Sequence, residues 1–218
     1  MRPLVAGAPL WFAATNTWII ATERGGPGVL IDAPPDPEAV GALCRRHDVV
    51  PVALLVTHGH VDHVAGAGRV AADHGITAYL HPDDEWLALD PEGQLRMLFG
   101  MVPPGDYAPP DHFEDLHHDQ VLELVGLSLR TLHTPGHTPG HCCFHVAAEG
   151  ILFAGDQLFA GSIGRTDLPG GDYASLMRSM ADHVVTLPGD TAVFPGHGPT
   201  TTIARELATN PFLEAFRR

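Results

Sequence analysis

Short apolar runs alternate with helix-like segments along the first third of the chain. The runs TWIIAT and GVLIDA predict two strands, which the glycine-rich ERGGPG joins as a hairpin. DPEAVGALCRRH predicts a helix with Asp36 as its N-cap and Pro37 in its first helical position. PVALLVT is apolar throughout, which indicates a strand buried on both faces, and VAGAGRVAADHG predicts a helix that ends at Gly75.

The last third of the chain returns to strands before it ends in helices. Five apolar runs predict strands: VLELV, LSLRTL, HCCFHV, GILFAG and TAVFPG. DYASLMRSMADHVV predicts a helix, and residues 200–218 predict a short helical tail. Because strands and helices interleave without a dividing linker, we expect one α/β (α+β) sandwich over residues 1–218, with helices outside the sheets.

A long middle segment, residues 82–120, follows the strand-like ITAYL and is rich in Pro, Gly and Asp. Long connections inside compact domains tend to be functional loops or lids. A lid or substrate loop and a plain surface excursion are equally good interpretations of this segment.

Charge and cysteine content limit the partners and the compartment. The chain of 218 residues has 26 acidic residues against 12 arginines and no lysine, with a net charge of −14. Such a surface repels phosphate backbones, so nucleic acid is not an expected partner.

No apolar run is long enough to cross a membrane, and the N-terminus lacks a signal-peptide pattern, so neither membrane nor export is expected. Three cysteines do not form a disulfide framework, which favours the cytoplasm.

The segment THGHVDH, directly after a buried strand, carries the strongest chemical signal. It offers His58, His60, Asp62 and His63 in an H-x-H-x-D-H pattern. His58 and His60 can meet one ion, while Asp62 and His63 can turn toward a neighbouring ion. Neutral imidazoles and carboxylates suit zinc, iron or manganese, so we predict a transition-metal site here.

Three further candidate ligands come just beyond other apolar runs. They are His137 in TPGHTPG, Asp156 in LFAGDQLF and His197 in VFPGHGP. Strand ends are where open sheets gather ligands. The repeated TPGH is not a helical face, because its prolines and glycines exclude a regular helix. Only His137 of that repeat has the position of a ligand, and His141 is a candidate for orienting one.

The motifs THGHVDH, TPGHTPGH, GD and PGHGP, in this order, resemble the metallo-β-lactamase-fold superfamily of metal-dependent hydrolases. The resemblance implies a four-layer αββα sandwich with two metal ions where the sheets open. It assigns the ligands as His58, His60 and His137 on one metal, Asp62, His63 and His197 on the other, and Asp156 as the bridge.

Two longer segments resemble the short bacterial glyoxalase II-like, or hydroxyacylglutathione hydrolase, group. They are GDQLFAGSIGRTDLPGGDYASLMRSM and PGHGPTTTIARELATNPFL. This resemblance implies a small-molecule thioester substrate of the S-2-hydroxyacylglutathione type. The expected cofactors are two divalent transition-metal ions, zinc first, with iron or manganese as alternatives. A metal-bound hydroxide would attack the carbonyl, and Asp62 would orient it in addition to binding metal.

Arg165 is the candidate substrate-binding residue. It lies nine positions after Asp156, where this group commonly has a basic residue that contacts glutathione, but Asp167 replaces the group's usual aromatic residue two positions later. Arg165 therefore either holds an anionic substrate or pairs with Asp167, and we favour the binding role.

Other functions of the same fold stay open. A mononuclear-iron persulfide dioxygenase resembles the chain in its GRTD segment, and a lactonase is a further alternative. Zinc β-lactamases place Cys or Ser where this chain has Asp156, which argues against that activity. A metal-binding protein without activity would be expected to have lost ligands, whereas all seven are present. The sequence leaves the oligomeric state open.

Overall fold

Two six-stranded sheets form the centre of the computed structural model, which describes residues 2–217. The first sheet consists, in spatial order, of β1 (Leu4–Leu10), β2 (Thr15–Ala21), β3 (Pro27–Ile31), β4 (Val50–Leu55), β5 (Thr77–Leu80) and β6 (Glu114–Asp115). The second contains β7 (Val121–Leu124), β8 (Leu127–His133), β9 (Cys142–Val146), β10 (Ile151–Gly155), β13 (Ala192–Pro195) and β14 (Thr201–Thr202). Its spatial order is β14-β13-β10-β9-β8-β7, and a small hairpin joins β11 (Leu158–Phe159) to β12 (Ser162–Ile163).

The helices lie outside the two sheets or in the connections above them. They are α1 (Pro37–His47), α2 (Val61–Val64), α3 (Ala67–His74), α4 (Glu85–Ala88), α5 (Pro91–Phe99), α6 (Tyr173–Ser179) and α7 (Ile203–Thr209). The α6 helix continues as a π-helical turn over Met180–Val184, and α7 is followed by a 3-10 turn over Pro211–Phe216. Within residues 2–217, each helix falls short of the length and apolar character needed to cross a membrane.

Three apolar clusters confirm the four-layer αββα arrangement. One cluster lies between the sheets and includes Leu55 and Phe144. A second packs α1 and α3 on the first sheet, and a third packs α6 and α7 on the second. Leu54 belongs to the outer cluster and Leu55 to the central one, so β4 is buried on both faces, as its apolar run predicts.

Several predicted elements are confirmed in detail. TWIIAT and GVLIDA pair as antiparallel β2 and β3. The Asp36 side chain caps α1, where it accepts a hydrogen bond from the Ala39 backbone at 3.2 Å, and Pro37 opens the helix. The adjacent Cys142 and Cys143 of β9 point to different layers of the core.

Two parts of the chain differ from the sequence-based expectation. Leu4–Leu10 forms strand β1, which pairs with β2 along seven positions, although its glycine and proline obscure the strand pattern. The middle segment is not an element-free loop, because it contains a 3-10 turn (Pro82–Asp84), α4, α5 and β6.

The connections that follow β4, β8, β10 and β13 meet at one edge of the sandwich. β3, β4 and β5 run parallel, as do β10 and β13, so their carboxyl ends lie on the same side. His58, His137, Asp156 and His197 follow these strands, which brings residues far apart in sequence to one place.

Candidate metal centre

Three imidazole nitrogens form a triangle at the mouth between the sheets. His58 Nε2 lies 3.1 Å from His60 Nδ1, which lies 2.9 Å from His137 Nε2, and the third side is 3.2 Å. Three nitrogens bound to one tetrahedral ion at about 2.0–2.1 Å are separated by about 3.3–3.4 Å. The three nitrogens therefore fit one transition-metal ion; we call this group the first triad.

Hydrogen bonds at the opposite ring nitrogens leave the inward lone pairs free. Thr57 Oγ1 donates to Asp32 Oδ2 at 2.9 Å, so it accepts from His58 Nδ1 at 3.0 Å. His137 Nδ1 donates to the Arg165 carbonyl oxygen at 2.7 Å. Both rings thus have the tautomer that offers Nε2 to a metal.

Burial keeps the first triad uncharged. Burial, together with the neighbouring His137 ring, lowers the pKa of His60 to about 3. It also lowers the pKa of His137 to about 4 and that of His58 well below its usual value. All three rings are therefore neutral near pH 7, which is the form that binds metal.

Asp62, His63 and His197 form the second triad. Asp62 Oδ2 lies 3.4 Å from His63 Nε2 and 3.1 Å from His197 Nε2, and the two nitrogens are 3.3 Å apart. Thr15 Oγ1 donates to Asp62 Oδ2 at 2.7 Å, and His63 Nδ1 contacts Asp32 Oδ2 at 2.8 Å. Two nitrogens and a carboxylate oxygen with these separations also fit one ion.

In the second triad, opposite charges shift the pKa values of the histidine and the carboxylate in opposite directions. Burial alone would lower the pKa of His63, but the carboxylates of Asp62, Asp156 and Asp32 outweigh it and raise that pKa to about 10. Burial would likewise raise the pKa of Asp62, yet His63 and His197 hold it below its usual value. A cation bound here would replace the ring protons as the counter-charge to these carboxylates.

Asp156 lies between the two triads. Its Oδ1 is 3.5 Å from His63 Nε2 of the second triad, and its Oδ2 is 3.5 Å from His137 Nε2 of the first. Burial raises the pKa of Asp156, and Oδ1 is a buried oxygen without a hydrogen-bond partner. An unpaired buried carboxylate oxygen is costly, and a metal ion held by the second triad would satisfy it.

The TPGH repeat is a loop in which His137 belongs to the first triad and His141 contacts Asp156. His141 is fully buried, and its Nε2 accepts a hydrogen bond from the Asp156 backbone at 3.0 Å. Its Nδ1 then donates to Thr134 Oγ1 at 2.9 Å. His141 thus contacts the backbone of Asp156, and its role in orienting a ligand stays a prediction.

Three buried residues that the sequence reasoning did not select also support the site: Asp32, Asp84 and Gln94. Asp32 follows the apolar run GVLI directly, so the rule that found Asp156 at a strand end also applied to it. Asp84 and Gln94 lie in the middle segment, and no local pattern distinguishes them.

Arg165 pairs with Asp167 through two hydrogen bonds, Nε to Oδ1 and Nη2 to Oδ2, each 2.7 Å long. The pair is exposed, and Arg165 lowers the pKa of Asp167 to about 2. The backbone carbonyl of Arg165, and not its guanidinium, contacts the first triad. The structure thus shows the ion-pair geometry, and the favoured role in binding substrate stays a prediction.

Buried cysteines do not supply a nucleophile. Burial raises the pKa of Cys143 to about 12 and that of Cys142 well above its usual value. Both thiols stay protonated at neutral pH, so chemistry at this site depends on the two triads.

Comparison with known proteins shows similarity to one superfamily of proteins. The model of a family described as the Metallo-beta-lactamase superfamily matches residues 10–197. The probable metallo-hydrolase YqgX of Bacillus subtilis is 34% identical, with 98% of this chain and 95% of that protein covered. The hydroxyacylglutathione hydrolase GloC of Haemophilus influenzae is 35% identical over 74% of this chain and 76% of its own length.

Two solved structures are similar over nearly their whole length. The B3 metallo-beta-lactamase BLEG-1 superposes with a TM-score of 0.86 at 36% identity, with 96% of this chain and 99% of that chain covered. TTHA1623 in a di-iron-bound form gives a TM-score of 0.83 at 37% identity, covering 98% and 100% of the two chains.

Proposed function

The chain belongs to the metallo-beta-lactamase superfamily, and from this premise we propose that it is a metal-dependent hydrolase of thioesters of the S-2-hydroxyacylglutathione type. The observation that carries the proposal is the pair of triads that share Asp156, because their separations and donor atoms fit two metal ions.

When bound, two divalent ions polarise a carbonyl and lower the pKa of water from 15.7 to about 7. The first triad, with neutral imidazoles, and the second, which includes Asp62, would each hold one of these ions. Asp156, whose two carboxylate oxygens lie near different triads, would be a ligand common to both ions. Zinc, iron and manganese all accept this ligand set.

Asp62 has a second task beyond ligation. Thr15 binds its Oδ2, which leaves Oδ1 to accept a hydrogen bond from water and orient it toward the substrate carbonyl. Its lowered pKa keeps the carboxylate charged, so it acts as an acceptor across the neutral pH range.

The thioester substrate is supported by the 35% identity with GloC, whose name gives hydroxyacylglutathione as its substrate. A chain that relies on bound metal needs no cysteine or serine nucleophile, which is consistent with the buried and protonated Cys142 and Cys143.

The test is a panel of thioesters, lactones, β-lactams and glutathione persulfide, assayed on a sample of measured metal content. We expect S-lactoylglutathione hydrolysis, with activity lost in His58→Ala and Asp156→Ala while both variants stay folded. His112→Ala is the matched control, because this side chain is 71% exposed and lies outside both triads. Normal hydrolysis in either ligand variant, or turnover of another class only, would overturn the proposal.

Hydrolysis of β-lactams is the second candidate, since BLEG-1 shares 36% identity over nearly the whole chain, although Asp156 stands where zinc β-lactamases have Cys or Ser. Turnover of a β-lactam with no thioester turnover would favour it. Oxygen uptake with glutathione persulfide would instead indicate the dioxygenase alternative.

A further inference from the structure

Asp84 is a fully buried carboxylate behind the first triad. It ends the 3-10 turn Pro82–Asp84 after β5 and accepts three hydrogen bonds. Gly59 N donates to Oδ2 at 2.8 Å, Thr138 Oγ1 donates to Oδ2 at 2.6 Å, and Gly140 N donates to Oδ1 at 2.6 Å. Since all three partners donate, both oxygens act as acceptors, as in an ionised carboxylate.

These three donors belong to the two loops that carry the first triad. Gly59 stands between His58 and His60, while Thr138 and Gly140 follow His137. The loops are 77 positions apart in sequence, yet His60 Nδ1 and His137 Nε2 approach within 2.9 Å. Asp84 binds both loops at once and so fixes the distance between their histidines.

The backbone is fitted closely around Asp84. A Cβ atom at Gly59 would lie 2.6 Å from the Asp84 carbonyl oxygen, and one at Gly140 would lie 2.8 Å from the Asp84 carboxyl carbon. Both positions therefore require glycine for Asp84 to reach the loops. The two loops are therefore shaped to make this contact with Asp84.

The charge of Asp84 has no counter-ion among residues 2–217, where no arginine or histidine nitrogen lies within 4.0 Å of its oxygens. A buried carboxylate without a cation is costly even when it is hydrogen-bonded. The first triad consists of neutral imidazoles only, so a divalent ion held there would provide positive charge close by. The second triad differs, because it includes Asp62 and contacts Asp32 directly.

We propose that Asp84 is a positioning residue for the metal ion of the first triad, which it stabilises by holding the two ligand loops together and by its negative charge, without touching the ion. The proposal rests on the two-metal site of the proposed function. It predicts a loss confined to one of the two metals, which a general defect in folding would not produce.

Asp84→Asn tests this directly, because it preserves size but removes the charge and turns one acceptor into a donor. We expect zinc at the first triad to bind about 10- to 100-fold more weakly, with the second site little changed. Stepwise zinc affinities would be measured by competition with a chromophoric chelator. Anomalous diffraction from crystals equilibrated with the chelator would identify the site that loses zinc. Asp190→Asn is the control, since this side chain is exposed and belongs to no group of candidate metal ligands among residues 2–217.

Two milder variants keep the test valid if Asp84→Asn does not fold. Thr138→Val removes one of the three donors and should weaken the same site to a smaller degree. Thr15→Val removes the bond to Asp62 and should weaken the second site instead. Equal weakening of both metals by Asp84→Asn or Thr138→Val, or no weakening, would overturn the proposal. If the unaltered protein bound no zinc, the two-metal site itself would be wrong.

Discussion

Asp32 links the two triads through one carboxylate. Its Oδ2 contacts His63 Nδ1 and accepts from Thr57 Oγ1, which in turn accepts from His58 Nδ1, so one side chain sets the tautomers of a ligand in each triad. Its backbone has a φ of 61°, an uncommon conformation for a residue other than glycine. A strained backbone that serves ligand orientation is typical of functional sites.

Asp32→Asn should weaken both metals, in contrast to the one-sided effect expected at Asp84. Asp32 accepts through both oxygens, Oδ1 from Thr57 N and Oδ2 from His63 and Thr57 Oγ1, so the NH2 group of an amide would face a donor in either orientation. We expect about 10- to 100-fold weaker metal binding in a chelator competition. Asp48→Asn is a matched control, because Asp48 has a similar φ of 54° but lies at the exposed end of α1. Unchanged metal affinity in Asp32→Asn would show that the tautomers are set in another way.

At the scale of elements, helix α5 holds the THGHVDH loop in place. Gln94 Nε2 donates to the carbonyl oxygens of Gly59 and Leu87, at 3.0 and 2.8 Å, and its Oε1 accepts from Val61 N at 3.0 Å. An apolar cluster of Val61, Leu95 and Tyr107 continues the contact. This part of the middle segment therefore packs against the THGHVDH loop, and a role of residues 82–120 as a lid or substrate loop stays a prediction.

Gln94→Leu should destabilise the protein even without metal. It leaves the buried Val61 N–H and the Gly59 carbonyl oxygen without their partner, while the Leu87 carbonyl oxygen still accepts from Asp90 N. Each buried group left unpaired costs about 1–3 kcal/mol. Urea unfolding of the metal-free protein measures the loss. Gln120→Leu serves as the comparison, because the Gln120 side chain makes one hydrogen bond among the described residues, which it accepts from the exposed His117 N. Equal free energies of unfolding for the two variants would contradict this role of α5.

The sequence predicts the ligands better than their supports for a physical reason. His58, His60, Asp62 and His63 lie within six positions at the end of an apolar strand, so local spacing carries the signal. Asp84 and Gln94 reach Gly59 from 25 and 35 positions away, and only the packing of α4 and α5 brings them there. Strand β1 was missed because Gly7 and Pro9 interrupt its pattern, whereas pairing with β2 decides its structure.

On the scale of the whole molecule, two divalent cations bound at the triads would reduce the net charge of −14. The two triads differ in the protons they carry before metal binds. His60 and His137, with pKa values of about 3 and 4, are neutral at pH 7, whereas His63, with a pKa of about 10, is protonated.

Metal binding should therefore release at least one proton at pH 7, and this proton comes from the second triad. A protonated His63 competes with the metal, so affinity at the second triad should rise as the pH increases from 7 toward 10, while the first triad stays nearly constant. Calorimetric titration in buffers of different ionisation enthalpy gives the proton count. Zero proton release at pH 7 would contradict the charge assigned to His63.

The most direct test of the central claim is to titrate metal-free protein with zinc while thioester hydrolysis is followed in the same sample. If both triads and the shared Asp156 form one catalytic site, the rate should rise to a plateau at about two equivalents per chain. Full activity at one equivalent, or hydrolysis that is independent of added metal, would contradict the two-metal account.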